Sequence, residues 1–332
     1  MDWKLWIRGI RPRTLPASVA PVLVGAASAS GVLKQSTICP AIYPVPEFCR
    51  VAAERYEAAS VMFMPVLTAC ILLALFMQIA VNFVNDYSDG VRGVDASRND
   101  AEVVVGKPQR LVASGVKPGA VLLAAAISAG MACIAGVVVV VLSGRFWLLP
   151  VGVACLIAGW FYTGGKHPYG YLGFGEVLVF ICFGGVATLG TEYALAGEVE
   201  IFGIIGACCT GLLSCVMLMV NNLRDIEEDE GSGKYTVAVR LGRRNAVKLL
   251  FTVLIVPTLA VAYITGYALY LAVASGVYGL WPVPVFGFLF LALVWAVIRA
   301  IRAERYQSAL GRSGALLLAY AATHITLLLL MA

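Results

Sequence analysis

Two short runs of acids and amides end two of the apolar stretches in this chain. The first holds Asn82, Asn85, Asp86 and Asp89, with Asp95 just beyond; the second holds Asn221, Asn222, Asp225 and Asp229. On a helix, Asn82, Asp86 and Asp89 fall at i, i+4 and i+7, and Gln78 extends that stripe one turn deeper. Asn221, Asp225 and Asp229 follow at i, i+4 and i+8. Helix caps and solvated loop acids are the alternative reading, but acids at a helix carboxyl end oppose the macrodipole. An ionisable group at a bilayer centre costs roughly 2.5–3.5 kcal/mol, which makes such acids candidates for function. Paired carboxylates suit a hard cation such as Mg²⁺, which takes oxygen ligands and bridges to phosphate. Two such stripes converging on one cavity would bind a lipid diphosphate.

A basic loop follows each cluster. The first carries Gly106, Lys107 and Arg110, the second Gly233, Lys234 and Arg240, so the chain reads as a loose two-fold repeat of one helical unit. Lysine and arginine clamp diphosphate oxygens, arginine through bidentate contacts. The alternative is that these are ordinary positive charges of cytoplasmic loops.

The elements that must position these groups are membrane helices. The chain is 61% hydrophobic and 13% charged, with a mean hydropathy of +0.88, which excludes an ordinary soluble globule. Nine apolar runs, at 14–33, 61–84, 118–142, 146–163, 173–197, 200–222, 246–274, 282–301 and 313–331, approach or exceed the ~20 residues that cross a bilayer. An all-α, multi-pass bundle follows. The run at 246–274 contains Pro257 and reads as a kinked helix or a span with a re-entrant piece.

With the amino terminus inside, most of the 24 lysines and arginines fall in cytoplasmic segments. The positive-inside rule therefore puts the amino terminus and both acid clusters at the cytoplasmic face of the cell membrane. The net charge of +5 needs no nucleic acid, since loop orientation and anionic lipid account for it. The first run, preceded by Arg8, Arg11 and Arg13, reads as a retained span rather than a cleaved signal. Cys70, Cys133, Cys155, Cys182, Cys208, Cys209 and Cys215 lie in apolar runs as small hydrophobes. Cys39 and Cys49 share an outer loop at 34–60, where an oxidising compartment would permit a disulfide.

Other polar residues read structurally. His324 stands alone in the last run and fits a hydrogen bond between helices. Glu176 suits a helix start, and Glu192, near the outer end of the same run, suits lipid headgroups. Gly130 with Gly136, and Gly184 and Gly185 with Gly190, suit close helix packing.

Taken together, these residues resemble the UbiA-type intramembrane aromatic prenyltransferases, over nearly the whole chain as one domain, 1–332, with 34–60 as an insertion. The branch acting on 1,4-dihydroxy-2-naphthoate is the most similar. It is carried by the segments beginning Arg11-Pro12-Arg13-Thr14-Leu15-Pro16, Asn85-Asp86-Tyr87-Ser88-Asp89, Tyr162-Thr163-Gly164-Gly165 and Asn221-Asn222-Leu223-Arg224-Asp225. The wider family often places a third acid four residues after the second, where this chain has Gly93; Asp95 is the next acid.

The resemblance implies a nine-helix bundle in which Asp86, Asp89, Asp95, Asp225 and Asp229 hold Mg²⁺ against a polyprenyl diphosphate. It implies that Asn82, Asn85, Asn221 and Asn222 help bind substrate, and that Lys107, Arg110, Lys234 and Arg240 neutralise the leaving diphosphate. Arg11 or Arg13 would pair with the acceptor carboxylate, and Tyr162 would lie near the allylic cation. Prenylation with loss of carbon dioxide would then give a demethylmenaquinone. Transfer to 4-hydroxybenzoate, homogentisate or a phosphoribosyl sugar is the alternative chemistry. A secondary transporter is the alternative class, disfavoured because the acids sit at helix ends rather than at the midplane.

Overall fold

The computed structural model describes residues 3–37, 46–93, 110–165, 168–274, 276 and 278–331. Proline opens several of the helices, as at Pro16, Pro118 and Pro282, where its missing N–H has no intrahelical partner to lose. The helices in chain order are α1 (Trp3–Ile10), α2 (Pro16–Thr37), α3 (Pro46–Val91), α4 (Pro118–Ser143) and α5 (Leu148–Thr163). There follow α6 (Gly175–Ala196), α7 (Ile201–Arg224), α8 (Ile226–Gly231), α9 (Val237–Ala274), α10 (Pro282–Arg302) and α11 (Tyr306–Met331). No strand occurs among the described residues.

Eight of these helices, all but α1, α5 and α8, are long and apolar enough to cross a membrane. The expected fourth span is shorter than anticipated. Helix α5 has sixteen residues, about 24 Å at the α-helical rise, less than the ~30 Å hydrocarbon core. The expected outer loop at 34–60 is largely helix: α2 runs to Thr37 and α3 already begins at Pro46. Its proposed Cys39–Cys49 pair lies outside the described residues. The run at 246–274 belongs to a longer helix, α9, that breaks at Gly242 (φ 71°, ψ 156°), not at Pro257. Only glycine adopts that backbone without strain, and the break sets Arg240 on a short leading piece.

Between membrane helices, apolar lipid removes most of the hydrophobic drive, so close approach and polar bridges hold the bundle together. A β-carbon at Gly25 would meet the Thr188 carbonyl oxygen at 2.1 Å, and one at Gly184 would meet that of Ala207 at 2.4 Å. Gly130 and Gly185, expected to do the same, face open space. The middle of α6, Phe180–Leu189, is π-helical, and Thr188 bonds Thr210 of α7 at 2.9 Å. His324 is bonded between helices as expected, 3.2 Å from the Ser28 hydroxyl.

The largest apolar cluster joins α7, α9, α10 and α11 through Val216, Leu223, Leu250, Phe290 and Leu317. A second joins α2, α3, α4 and α6 through Val22, Val66, Val139 and Leu195. Leu123, Ile127, Ile134 and Val141 of α4 point outward on one helical face, where lipid would lie. Glu192 corrects an expectation. It is 0% exposed rather than turned to headgroups, and its Oε1 accepts from the Glu200 backbone N–H at 3.1 Å. The first turn of a helix has amides without partners, and the Glu192 carboxylate serves the start of α7, over Gly203.

Candidate active site

Helix α3 stays helical through its acid cluster, which decides where each side chain points. Taking Asn82 as zero and about 100° per residue, Gln78, Asn85 and Asp89 lie at about −40°, −60° and −20°, while Asp86 lies at about +40°. The first four line one cavity of about 520 Å³, and Asp86 does not. Its carboxylate instead accepts the backbone N–H groups of Leu111 and Val112, at 3.1 and 3.4 Å. Asp86, expected among the metal ligands, thus meets backbone amides rather than the cavity. Two backbone amides already meet its oxygens, one on each.

The second cluster divides at a hinge. Helix α7 ends at Arg224, Asp225 is the joint (φ −99°), and α8 carries Asp229. Asp225 and Asp229 both face the cavity with Asn221 and Asn222. Arg224 grips Asp225 by two bonds of 2.7 Å and also reaches Asn221 Oδ1 at 2.8 Å. Asn222 donates to Glu176 at the start of α6, at 3.1 Å, where an acid suits the helix dipole as expected.

Positive groups meet these acids from three directions. Arg11, Arg110 and Lys234 line the same cavity. Arg11 sits in the left-handed region (φ 56°), in a segment fastened to α3 because Asn82 donates to the Ile10 carbonyl at 2.8 Å. Lys234 pairs with Asp229 at 3.2 Å. Arg13 and Arg240, named with them from the sequence, are exposed and do not line the cavity. Arg240 bonds the Tyr235 carbonyl at 3.1 Å and lies against Gly173. Asp95 and Lys107 fall outside the described residues.

Burial pushes the Asp229 carboxyl up to about 6; Lys234 opposes the rise, and the charges of Asp225 and Asp89 add to it. For Lys234, burial acts to lower the ammonium, but Asp89, Asp229, Tyr171 and Asp225 outweigh it and hold the amine above its ordinary value. Three acids and three cations thus share one cavity, and burial with the mutual repulsion of the acids acts on Asp229.

Several residues that hold the site were not singled out individually from the sequence. The Tyr171 hydroxyl donates to Asp89, and its ring has Arg92 on it at 5.0 Å and Lys234 at 5.3 Å. Arg92 also bonds the Thr163 carbonyl at 2.7 Å and the Gly165 carbonyl, while the Thr163 hydroxyl donates to Asn85 at 2.8 Å. Tyr162 lines the cavity beside Tyr169, rings 5.7 Å apart and edge to face. In the sequence Arg224 is legible only within the Asn221–Asp225 segment, and no local pattern marks Tyr171 as a partner of Asp89.

The rest of the cavity is mostly apolar, with Val140, Leu148, Val153, Leu156 and Val186 among its lining. Both Cys70 and Asp89 border it; along α3 that separation is about 28 Å, nearly the depth of a hydrocarbon core. A charged mouth thus opens into a long greasy channel.

Among the described residues, no three His, Cys, Asp or Glu side chains form a ready-made metal cluster. The donors nonetheless fit a hard divalent cation. Asp89, Asp225 and Asp229 share one cavity, and Oδ2 of Asp229 is buried without a hydrogen-bond partner, as an oxygen reserved for a metal would be.

A sequence pattern described as the UbiA prenyltransferase family matches residues 51–330. The chain belongs to that family. It is 41% identical over 280 residues to a 1,4-dihydroxy-2-naphthoate octaprenyltransferase of Mycobacterium tuberculosis, covering 84% of this chain and 82% of that one. A Bacillus subtilis protein of the same description is 32% identical over 254 residues, covering 76% and 70%. The fold is that of a UbiA homolog from Archaeoglobus fulgidus whose structure is described as bound to GPP and Mg²⁺. That likeness has a TM-score of 0.55 at 14% identity, over 97% of this chain and 99% of the other.

Proposed function

We propose that this UbiA-family enzyme transfers a polyprenyl group from an all-trans polyprenyl diphosphate to 1,4-dihydroxy-2-naphthoate. The allylic C–O bond to diphosphate breaks and a bond forms to the ring carbon that bears the carboxylate. That carboxylate leaves as carbon dioxide, giving demethylmenaquinone in its quinol form. The observation that carries the reading is one cavity with Asp89, Asp225, Asp229, Arg110 and Lys234 at a polar end and an apolar channel behind. The naphthoate as acceptor is supported by relatives of that description at 41% and 32% identity.

Asp89, Asp225 and Asp229 would hold Mg²⁺, which supplies positive charge to the departing diphosphate oxygens. Arg110 and Lys234 enter from separate loops and oppose the charge that builds on the leaving group. Tyr162 offers an aromatic face at the cavity wall, where a developing allylic cation is favoured. Arg11, rather than Arg13, would meet the acceptor carboxylate, a reading supported by its lining the cavity where Arg13 does not. The apolar channel takes the prenyl tail and keeps water from the cation. The distribution of lysine and arginine supports a polar end facing the cytoplasm.

The test supplies purified enzyme, Mg²⁺ and radiolabelled polyprenyl diphosphate with the naphthoate or 4-hydroxybenzoate at equal concentration. Prenylation of the naphthoate with matched carbon dioxide release is expected. Preferred prenylation of 4-hydroxybenzoate with its carboxylate retained overturns the reading.

A further inference from the structure

The carboxylate of Asp86 is 1% exposed, yet it faces the chain's own backbone rather than the cavity. What it meets is the start of a compact turn over residues 110–115. Within that turn Ser114 N–H bonds the Arg110 carbonyl at 2.9 Å, Gly115 that of Val112 at 3.0 Å, and Val116 that of Leu111 at 3.0 Å. A turn of this kind leaves its leading amides without partners. Those of Leu111 and Val112 are the two that Asp86 accepts.

Packing fixes the same turn independently of charge. Leu111 is fully buried, and a β-carbon at Gly9 would stand 2.6 Å from its Cδ1. Val112 lies directly on Gly90, one helical turn beyond Asp86, where a β-carbon would stand 2.4 Å from the Val112 Cβ. Immediately before these two residues comes Arg110, which does line the cavity. Asp86 thus caps a turn whose leading residue delivers a guanidinium to the polar end.

We propose that Asp86 is a positioning residue that acts through the Leu111 and Val112 amides to hold Arg110 at the diphosphate, and that it is not a metal ligand. The proposal rests on the reading of Arg110 as a diphosphate contact given above. A carboxylate is suited to the task because it accepts two N–H donors at once, with charge assistance that an amide lacks. Asparagine keeps the volume but offers one acceptor oxygen and turns donors toward an amide.

The test uses the full chain in nanodiscs, with Asp86→Asn, Arg110→Gln, the double variant, and Gly90→Ala, which replaces no acid. Three quantities are read: Mn²⁺ affinity by electron paramagnetic resonance, KM and kcat for polyprenyl diphosphate, and hydrogen exchange over residues 110–113. Asp86→Asn is expected to raise KM about tenfold, with Mn²⁺ affinity within about twofold of the parent. Exchange over 110–113 should accelerate. Gly90→Ala should reproduce that pattern, and the double variant should be no worse than Arg110→Gln alone, because both changes remove one interaction.

Tenfold or greater loss of Mn²⁺ affinity in Asp86→Asn would make Asp86 a metal ligand and overturn the proposal. So would unchanged exchange over 110–113, or effects of the two substitutions that multiply. If Arg110→Gln itself leaves KM unchanged, the reading of Arg110 fails instead, and the exchange data still report whether Asp86 holds the turn.

Discussion

The hydroxyl of Tyr171 donates to the carboxylate of Asp89, tying the loop after α5 to the end of α3. Arg92 and Lys234 both lie against the Tyr171 ring, so one aromatic residue gathers an acid and two cations from two other parts of the chain. Tyr171→Phe should keep the ring contacts and lose the donor, lowering kcat/KM about tenfold. Tyr171→Ala should cost more, because the cation–π contacts, worth roughly 0.5–2 kcal/mol, disappear as well. Initial rates at saturating naphthoate check the order; equal losses in the two variants would remove the hydroxyl from the account.

Asp225 and Asp229 stand on either side of the α7–α8 hinge and face one cavity. Asp225→Asn and Asp229→Asn are each expected to lower turnover by at least about a hundredfold, the scale on which oriented charge acts at a leaving group. Metal affinity should fall with turnover. Removing charge does not impair insertion, so the variants should reach the membrane in normal amounts. Near-parental rates in either, in a folded preparation, would dismiss it from the metal site.

Lys234 and Arg240 divide where the sequence had paired them. Lys234 lines the cavity and bonds Asp229, whereas Arg240 is exposed and holds the Tyr235 carbonyl. Lys234→Met should raise KM for the diphosphate at least about tenfold, since it removes a buried charge partner. Arg240→Gln should change KM less than about threefold, in keeping with the small worth of exposed contacts. Parallel kinetics on the two variants decide it, and equal effects would return Arg240 to the substrate.

At the opposite end of α6, Glu192 and Gly203 test the scaffold alone. A β-carbon at Gly203 would stand 1.7 Å from Glu192 Oε2, and that carboxylate serves the amide of Glu200. Gly203→Ala is expected to lower thermal stability by roughly 1–3 kcal/mol through overpacking. Any enzyme that stays folded should keep its KM values. A thermal shift assay in detergent, alongside kinetics, separates the two effects.

Much of this protein is legible in its residues alone. Composition and run length place it in the membrane, because a bilayer imposes a length and an apolarity that local sequence must satisfy. The polar stripes ending α3 and α7 are equally legible, since helical periodicity puts Asn82 with Asp89 and Asn221 with Asp225 on shared faces. Family membership follows from motifs spread along most of the chain.

Tertiary structure alone decides which neighbour in a stripe does what. Asp86 and Asp89 differ by only about 60° around the helix, yet one meets backbone amides and the other the cavity. Arg11 and Arg13 are two residues apart, and only the first turns inward. Tyr171 meets Asp89 across 82 positions of sequence. Periodicity gives the angle between side chains on one helix, but not how that helix is rotated against its neighbours. That rotation is set by distant close approaches, such as Gly90 beneath Val112 and Gly184 against Ala207, which no local pattern encodes.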